Sequence, residues 1–409
     1  MDALLERFCR YVRIESTAVE SAGRYPSSDG QLEMGRVLSD ELRELGLNDV
    51  HMSEQGIVTA TIPPTVSGAP TIAWFAHVDT SPEFTGKNVN PIVHKNYDGN
   101  DIKLPAHPDR VIRVDDHPDL AALTGKTIIT TDGTTLLGAD DKSGVAIIME
   151  TAARMVADST AKRGPIRVCF TCDEEIGHGV DHIDLKRIDA VCGYTLDGEG
   201  QGVIEGETFS ADLAVVTVEG VNTHPGYAKD RMTSAIRVAA KFIDRLPFES
   251  MSPETTSNRE GFMHPYVLEG GVPATTIRII LRDFDTAKLT DQHRILRGIA
   301  DQLMSEHPAA KINVDITPQY RNMAEGLAKE PRAVELAVSA VKASGVEPRF
   351  SIIRGGTDGS RLTEMGLPTP NLSAGMHNFH SPLEWSCLEE MEHAVNVLIQ
   401  LAEQWSRQS

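Results

Sequence analysis

Short apolar runs alternate along this chain with amphipathic segments of helical period, and the residues that follow the runs are acids and histidines. TIAWFA (71–76) reads as a buried strand, and further strand-like runs lie at 166–172, 190–196, 349–353 and 367–374. Between them, QLEMGRVLSDELRELG (31–46) reads as a helix ending at a glycine cap. Residues 143–157 put Val145, Ile148, Met149 and Ala152 on one side, and a helix over about 388–406 closes the chain. Alternation of this kind predicts an α/β fold, a mostly parallel sheet flanked by helices.

The middle of the chain departs from that rhythm. FSADLAVVTVEG and ATTIRIILRDFD alternate like half-exposed strands, helices are expected over 231–245 and 286–306, and KINVDITPQY supplies another strand. Two strand and helix pairs in this stretch predict an inserted, smaller α+β domain over 208–320. Residues 1–207 plus 321–409 then form the parent domain, since 409 residues exceed one hydrophobic core. The segment 84–124, rich in Pro, Asp and His, is expected to be a long irregular loop.

Net charge narrows the partners. The formal charge is −20, from 59 acids against 39 Lys plus Arg, and no basic run is present that would track phosphates, so nucleic acid is not an expected partner. The first residues, MDALLERFCRYVRIES, read as an amphipathic helix with Leu4, Leu5, Phe8 and Val12 on one face, which does not resemble a signal peptide. With no apolar run of about 20 residues, a membrane is not expected either, and the expected location is the cytoplasm. Five cysteines without framework spacing fit a reducing compartment. Cys169 and Cys172 form a C-x-x-C, but residues three apart on a strand face opposite ways, which argues against a shared ligand.

Ligands of open parallel sheets bind beyond the carboxyl ends of the strands, and the chemical residues of this chain gather there. His77 and Asp79 follow TIAWFA; Asp173, Glu174 and Glu175 follow the strand at 166–172; Asp197 follows the strand at 190–196; His377 and His380 come late, in SAGMHNFHSP. GADDKSG sets Asp140 and Asp141 where a helix dipole favours anions. Singly, these are ordinary caps, turns and surface pairs. Three adjacent carboxylates at the mouth of a buried strand raise one another's pKa, and a cation relieves that. Imidazoles mixed with carboxylates favour zinc, with cobalt or manganese as substitutes, and two ions roughly 3.5–4 Å apart need a bridging group such as a carboxylate.

The segments HVDTSPEFTGKNV, TTDGTTLLGADDKSGVA, FTCDEEIGHG, TLDGEG, EGVNTHPGYAK, ILRDFD, IRGGTDGSRL and NFHSPLEW, in that order over essentially the whole chain, resemble the peptidase T family. That family is the aminotripeptidase branch of the dinuclear zinc peptidases, which also include carboxypeptidases, deacylases and carnosinase-like dipeptidases. The resemblance implies two zinc ions, one held by His77, Asp140 and Asp197 and the other by Asp140, Glu175 and His380, with Asp140 bridging. It implies that Asp79 orients His77 and that Glu174 is the general base acting on a metal-bridging hydroxide. It also implies that the inserted domain is a lid, the expected place of a homodimer contact, and that His224 stabilises the oxyanion. Arg354, or its rival Arg282, is expected to pair with a substrate carboxylate. The implied reaction is removal of the N-terminal residue from tripeptides. Alternatives are a dipeptidase or deacylase on the same fold, or a non-catalytic peptide-binding protein. The match is weakest over 96–124 and in GFMHPYVLEGGVPATT.

Overall fold

The computed structural model describes residues 2–408. The chain forms two compact units: one holds the chain up to Gly206, Glu325–Ser351 and the chain from Thr357 on; the other holds Glu207–Ala324 and Ile352–Gly356.

The first unit is built on an 11-stranded sheet. Its centre comprises β1 (Ile72–His77), β2 (Ile166–Thr171), β3 (Cys192–Glu199) and β4 (Asn371–His377), in the spatial order β2-β1-β3-β4. These three pairings are parallel, with His77 opposite Thr171 and Phe75 opposite Thr195. The expectation of a mostly parallel sheet therefore holds for the centre. The flanking pairings are antiparallel, including Val58–Ile62 on β2 and Trp385–Cys387 on β4. All residues of β1 are buried, which is why TIAWFA is apolar without alternation. The helix Ala139–Ala157 is buried over its whole first half, and its apolar residues lie all round it rather than in one stripe. The closing helix, Leu388–Trp405, adds Met391, Val395, Leu398 and Trp405 to the same core.

Cys169 and Cys172 pack in different apolar clusters, and all five cysteines are free thiols. The segment 84–124 is not the irregular loop expected from its composition. Ile92–His94 pairs with Ile128–Thr130, Ile102–Leu104 pairs with His107–Ile112, and Pro118–Ala121 is a short helix. A small core of Tyr97, Leu104, Ile112, Leu120 and Leu123, packed with Trp385, holds them. Its apolar residues are spaced too widely among Asp, His and Pro for either period to show.

The second unit is a four-stranded antiparallel sheet in the order Phe262–Gly270, Ala274–Asp283, Ser210–Glu219, Lys311–Tyr320. Alternate residues Ala214, Val216 and Val218 and Ile277, Ile279 and Leu281 meet Val238 and Phe242 of the helix Ala235–Asp244 and Leu296 and Leu303 of Thr286–Glu306. Each large apolar side chain buried this way stabilises the unit by about 1.5–3 kcal/mol. The edge strand Phe262–Gly270 was not expected. It carries Pro265, a register irregularity between Pro265 and Val267, and the exposed Tyr266 and Leu268, so it lacks the regular alternation of its neighbours.

Candidate metal centre

At the carboxyl end of β1, His77 is 3% exposed and Asp79 is fully buried. His77 Nδ1 lies 3.1 Å from the Asp79 carbonyl and 3.4 Å from Asp79 Oδ1. A proton on Nδ1 serves both oxygens and leaves Nε2 as the lone-pair nitrogen.

Beyond β2, Asp173 takes a left-handed backbone (φ 61°) and reverses the chain into a short 3-10 turn, Glu174–Ile176. Its carboxylate accepts from the Ser27 amide (2.7 Å), from Gln31 Nε2 (2.6 Å) and from the Ser27 hydroxyl. Of the three adjacent acids, Asp173 thus serves the scaffold. The Glu174 and Glu175 amides donate to Asp79 Oδ1 (3.2 Å) and Oδ2 (3.1 Å), so one buried carboxylate fixes both the histidine and the glutamate turn.

Asp140 lies between two histidines. Its Oδ1 is 2.9 Å from His77 Nε2 and its Oδ2 is 3.3 Å from His380 Nε2, while His380 Nε2 is also 2.9 Å from Glu175 Oε2. Asp197 Oδ1 is 3.8 Å from His77 Nε2, and the Asp197 amide donates to Asn371 Oδ1 (3.1 Å). Ligand atoms of His77, Asp140 and Glu175 fall within 4.8 Å of one another, as do those of His77, Asp141 and Asp197. Asp141 Oδ2 accepts from the His77 amide (3.2 Å) and Oδ1 from the Gly144 amide (3.0 Å), so both its oxygens are committed to backbone. The structure thus gathers His77, Asp79, Asp140, Glu174, Glu175, Asp197 and His380 at one rim. His377, three residues before His380, is instead 2.7 Å from Glu390, 3.6 Å from Glu199, and stacked on Trp385.

The electrostatics follow from crowding. Burial, together with the neighbouring Asp358, Glu175 and Asp140 charges, pushes the Glu174 carboxyl well above its usual range. Burial and Asp140 push Glu175 up to about 7, and burial, Asp140 and Asp141 raise Asp197 as well. Burial opposes protonation of His77 and His380, but the carboxylates beside them outweigh it: Asp140 and Asp79 hold His77 well above the imidazole range, and Asp140 and Glu175 raise His380 to about 11. None of Asp140, Glu174, Glu175 and Asp197 has a lysine or arginine ion pair among the described residues. Glu175 Oε1 is buried without any hydrogen-bond partner. An orphaned carboxylate oxygen in a site of mixed imidazole and carboxylate donors fits divalent cations.

Three contacts were not foreseen. Glu83, 68% exposed, lies 3.5 Å from His380 Nδ1. Asp358 accepts from the Thr171 hydroxyl at 2.7 Å, and burial pushes its pKa up to about 6. Glu384, in NFHSPLEW, accepts from three backbone amides of the loop that carries Asp140. All three lie in segments that carry the resemblance, Glu83 in HVDTSPEFTGKNV, Asp358 in IRGGTDGSRL and Glu384 in NFHSPLEW, but nothing local to those segments names their partners.

His224, Arg282 and Arg354 belong to the second unit. His224 is exposed, and its Nδ1 accepts from the Gly226 amide (3.1 Å), which leaves the proton of a neutral ring on Nε2. Arg354 donates to Asn258 O (2.7 Å), Glu260 O (2.9 Å) and Thr256 Oγ1 (3.0 Å), and lies over the Phe209 and Phe262 rings. Arg282 donates to Leu281 O (3.1 Å) and Gln319 Oε1 (3.0 Å) and lies over Tyr320; Asp283 and Asp285 are not its partners.

Residues 130–404 match the family described as Peptidase family M20/M25/M40. Over 409 residues the chain is 42% identical to Peptidase T of Bacillus subtilis, covering 100% of both chains. It is 42% identical over 404 residues to Peptidase T of Clostridium botulinum, covering 98% of this chain and 99% of that one. Among solved structures, aminopeptidase PepT of Bacillus cereus superposes with a TM-score of 0.77 at 24% identity, covering 99% of each chain. A tripeptidase of Staphylococcus aureus gives a TM-score of 0.79 at 22% identity, covering 100% of this chain and 99% of that one. The YXEP protein of Bacillus subtilis, described as a dinuclear metal binding peptidase, gives 0.66 at 14% identity, covering 98% and 97%.

Proposed function

The chain belongs to peptidase family M20/M25/M40, at full length alongside Peptidase T, and we propose that it is a two-zinc aminopeptidase removing the N-terminal residue of tripeptides. The observation that carries this reading is Asp140, whose two carboxylate oxygens face two different histidines (2.9 and 3.3 Å), the arrangement a bridging ligand needs. In this reading His77, Asp140 and Asp197 hold one zinc, and Asp140, Glu175 and His380 hold the other. When bound, the pair supplies Lewis acidity and a water nucleophile available at neutral pH.

The chain's own residues do the rest. Glu174 takes the proton of the attacking water and delivers it to the leaving amine. Its burial among carboxylates raises its proton affinity above that of an ordinary carboxylate, the direction that favours taking a proton from water. Asp79, through two amide hydrogen bonds, keeps Glu174 and Glu175 in register, and through Nδ1 it keeps the His77 lone pair on Nε2. His224, with its Nε2–H free to donate, stabilises the oxyanion. Arg282 is the better partner for the substrate's terminal carboxylate, because both of its hydrogen bonds leave from Nη1, whereas Arg354 commits Nη1 and Nη2 to three carbonyls and a hydroxyl.

The test is metal analysis together with a panel of di-, tri-, tetra- and N-acetylated tripeptides. Free tripeptides should be cleaved best, and chelation should abolish cleavage until zinc, cobalt or manganese is returned. A preference for acetylated tripeptides would make the protein a deacylase, and a preference for dipeptides would make it a dipeptidase.

A further inference from the structure

Glu384 is 1% exposed, and its carboxylate bonds to backbone amides rather than to the side chain of a candidate metal ligand. Its Oε2 accepts from the Leu137 (2.6 Å) and Gly138 (2.8 Å) amides, and its Oε1 accepts from the Asp140 amide (3.1 Å). Gly138 is left-handed (φ 76°), and a Cβ there would come 3.1 Å from Thr80 Cγ2, so this turn has little room to rearrange.

Glu384 is itself held from both sides. Its amide donates to Ser381 O (3.1 Å), closing the turn that directly follows His380. Asn378 Nδ2 donates to Leu383 O (3.1 Å). The next residue, Trp385, enters a strand paired with both His377 and Thr130. One carboxylate thus clips the loop carrying Asp140 to the loop carrying His380.

We infer that Glu384 is the positioning residue that sets the spacing between Asp140 and His380, and so governs occupancy of the metal position they share with Glu175. The inference rests on the two-metal reading above. Loss of a second-layer hydrogen bond of this kind typically weakens metal binding by about 10- to 100-fold. Here the loss should fall more heavily on the ion at the Asp140, Glu175 and His380 position, because Glu384 fixes the loops of both Asp140 and His380, whereas of the His77, Asp140 and Asp197 set it bonds Asp140 alone.

The test is cobalt(II) titration of metal-free protein, followed by equilibrium dialysis and visible absorption, with melting temperature recorded on the same samples. Glu384→Gln keeps the side-chain volume but turns an amide NH2 toward a backbone N–H. It should bind the first equivalent within about 3-fold of wild type and the second about 10- to 100-fold more weakly, with a changed spectrum for the second ion. Glu384→Asp retracts the carboxylate by one methylene, so that it cannot reach Gly138 and Asp140 together, and carries the same prediction should the Gln variant not fold. A variant that melts earlier but binds both ions as wild type would show a merely structural role and overturn the inference. Wild type binding fewer than two ions would instead refute the two-metal reading, and this inference with it.

Discussion

Adjacent glutamates give the most discriminating perturbation, because Glu174→Gln and Glu175→Gln each keep size and remove one charge. Glu174 and Glu175 are held by the same carboxylate through their amides, at 3.2 and 3.1 Å, so the backbone of the turn should survive either change. The side chains differ. Glu175 Oε2 is 2.9 Å from His380 Nε2 and its Oε1 is buried without a partner, so Gln there places an NH2 among metal donors. Occupancy of the Asp140, Glu175 and His380 position should fall, with activity partly recovered at high zinc. Glu174 makes no side-chain ion pair among the described residues, so its loss should leave both metals bound. Turnover should still drop by about 100- to 10,000-fold, the usual contribution of a general base and equivalent to roughly 2.7–5.5 kcal/mol of barrier. Bound zinc by elemental analysis and tripeptide turnover are read on the same preparations. Loss of zinc in Glu174→Gln with two ions retained in Glu175→Gln would invert the assignment, and full activity in both would refute it.

Asp79→Asn replaces an acceptor of two amides and a histidine with a group that can satisfy only part of that set; an unsatisfied buried amide costs about 1–3 kcal/mol, so both zinc affinity and thermal stability should fall. His224→Ala should lower kcat more than it raises KM, since an oxyanion donor acts in the transition state, and unchanged kcat removes His224 from the mechanism. Burial opposes protonation of His377, but Glu199 and Glu390 outweigh it and raise its pKa to about 9. A folded pKa above the unfolded one means its stabilisation is fully present below about pH 6.5 and is lost as pH rises through about 9. That loss is on the order of 3 kcal/mol. Denaturant melts of wild type should lose that much more stability between pH 6.5 and 9.5 than His377→Gln; parallel pH profiles would sink the assignment.

Strand ends were the legible part of this chain. TIAWFA and the run at 166–172 are buried on both faces, so their apolar character survives in one dimension, and the acids and histidines after them stand out. Which acid does what was less legible. Asp173 turns away because its left-handed backbone meets Ser27 and Gln31, about 145 residues distant in sequence, and no local pattern encodes that pairing. Likewise, Asp140 and Asp141 are indistinguishable in GADDKSG. Their separation depends on Asp141 accepting the His77 and Gly144 amides. The segment 84–124 and the strand Phe262–Gly270 were missed because irregular pairing and Pro265 erase the period on which such readings depend. Arg354 stands near rim residues in sequence, yet it belongs to the second unit, because the chain returns there for Ile352–Gly356.

The most direct test of the account is the hydrolysis of a free tripeptide as zinc is added stepwise to chelated protein, with bound metal counted by native mass spectrometry at each step. Asp140 as a bridge between the His77 and His380 sides predicts that two ions bind per chain and that turnover rises with occupancy of the second. Full turnover in metal-free protein, or a turnover that is complete at one ion and unaffected by further zinc, would contradict it.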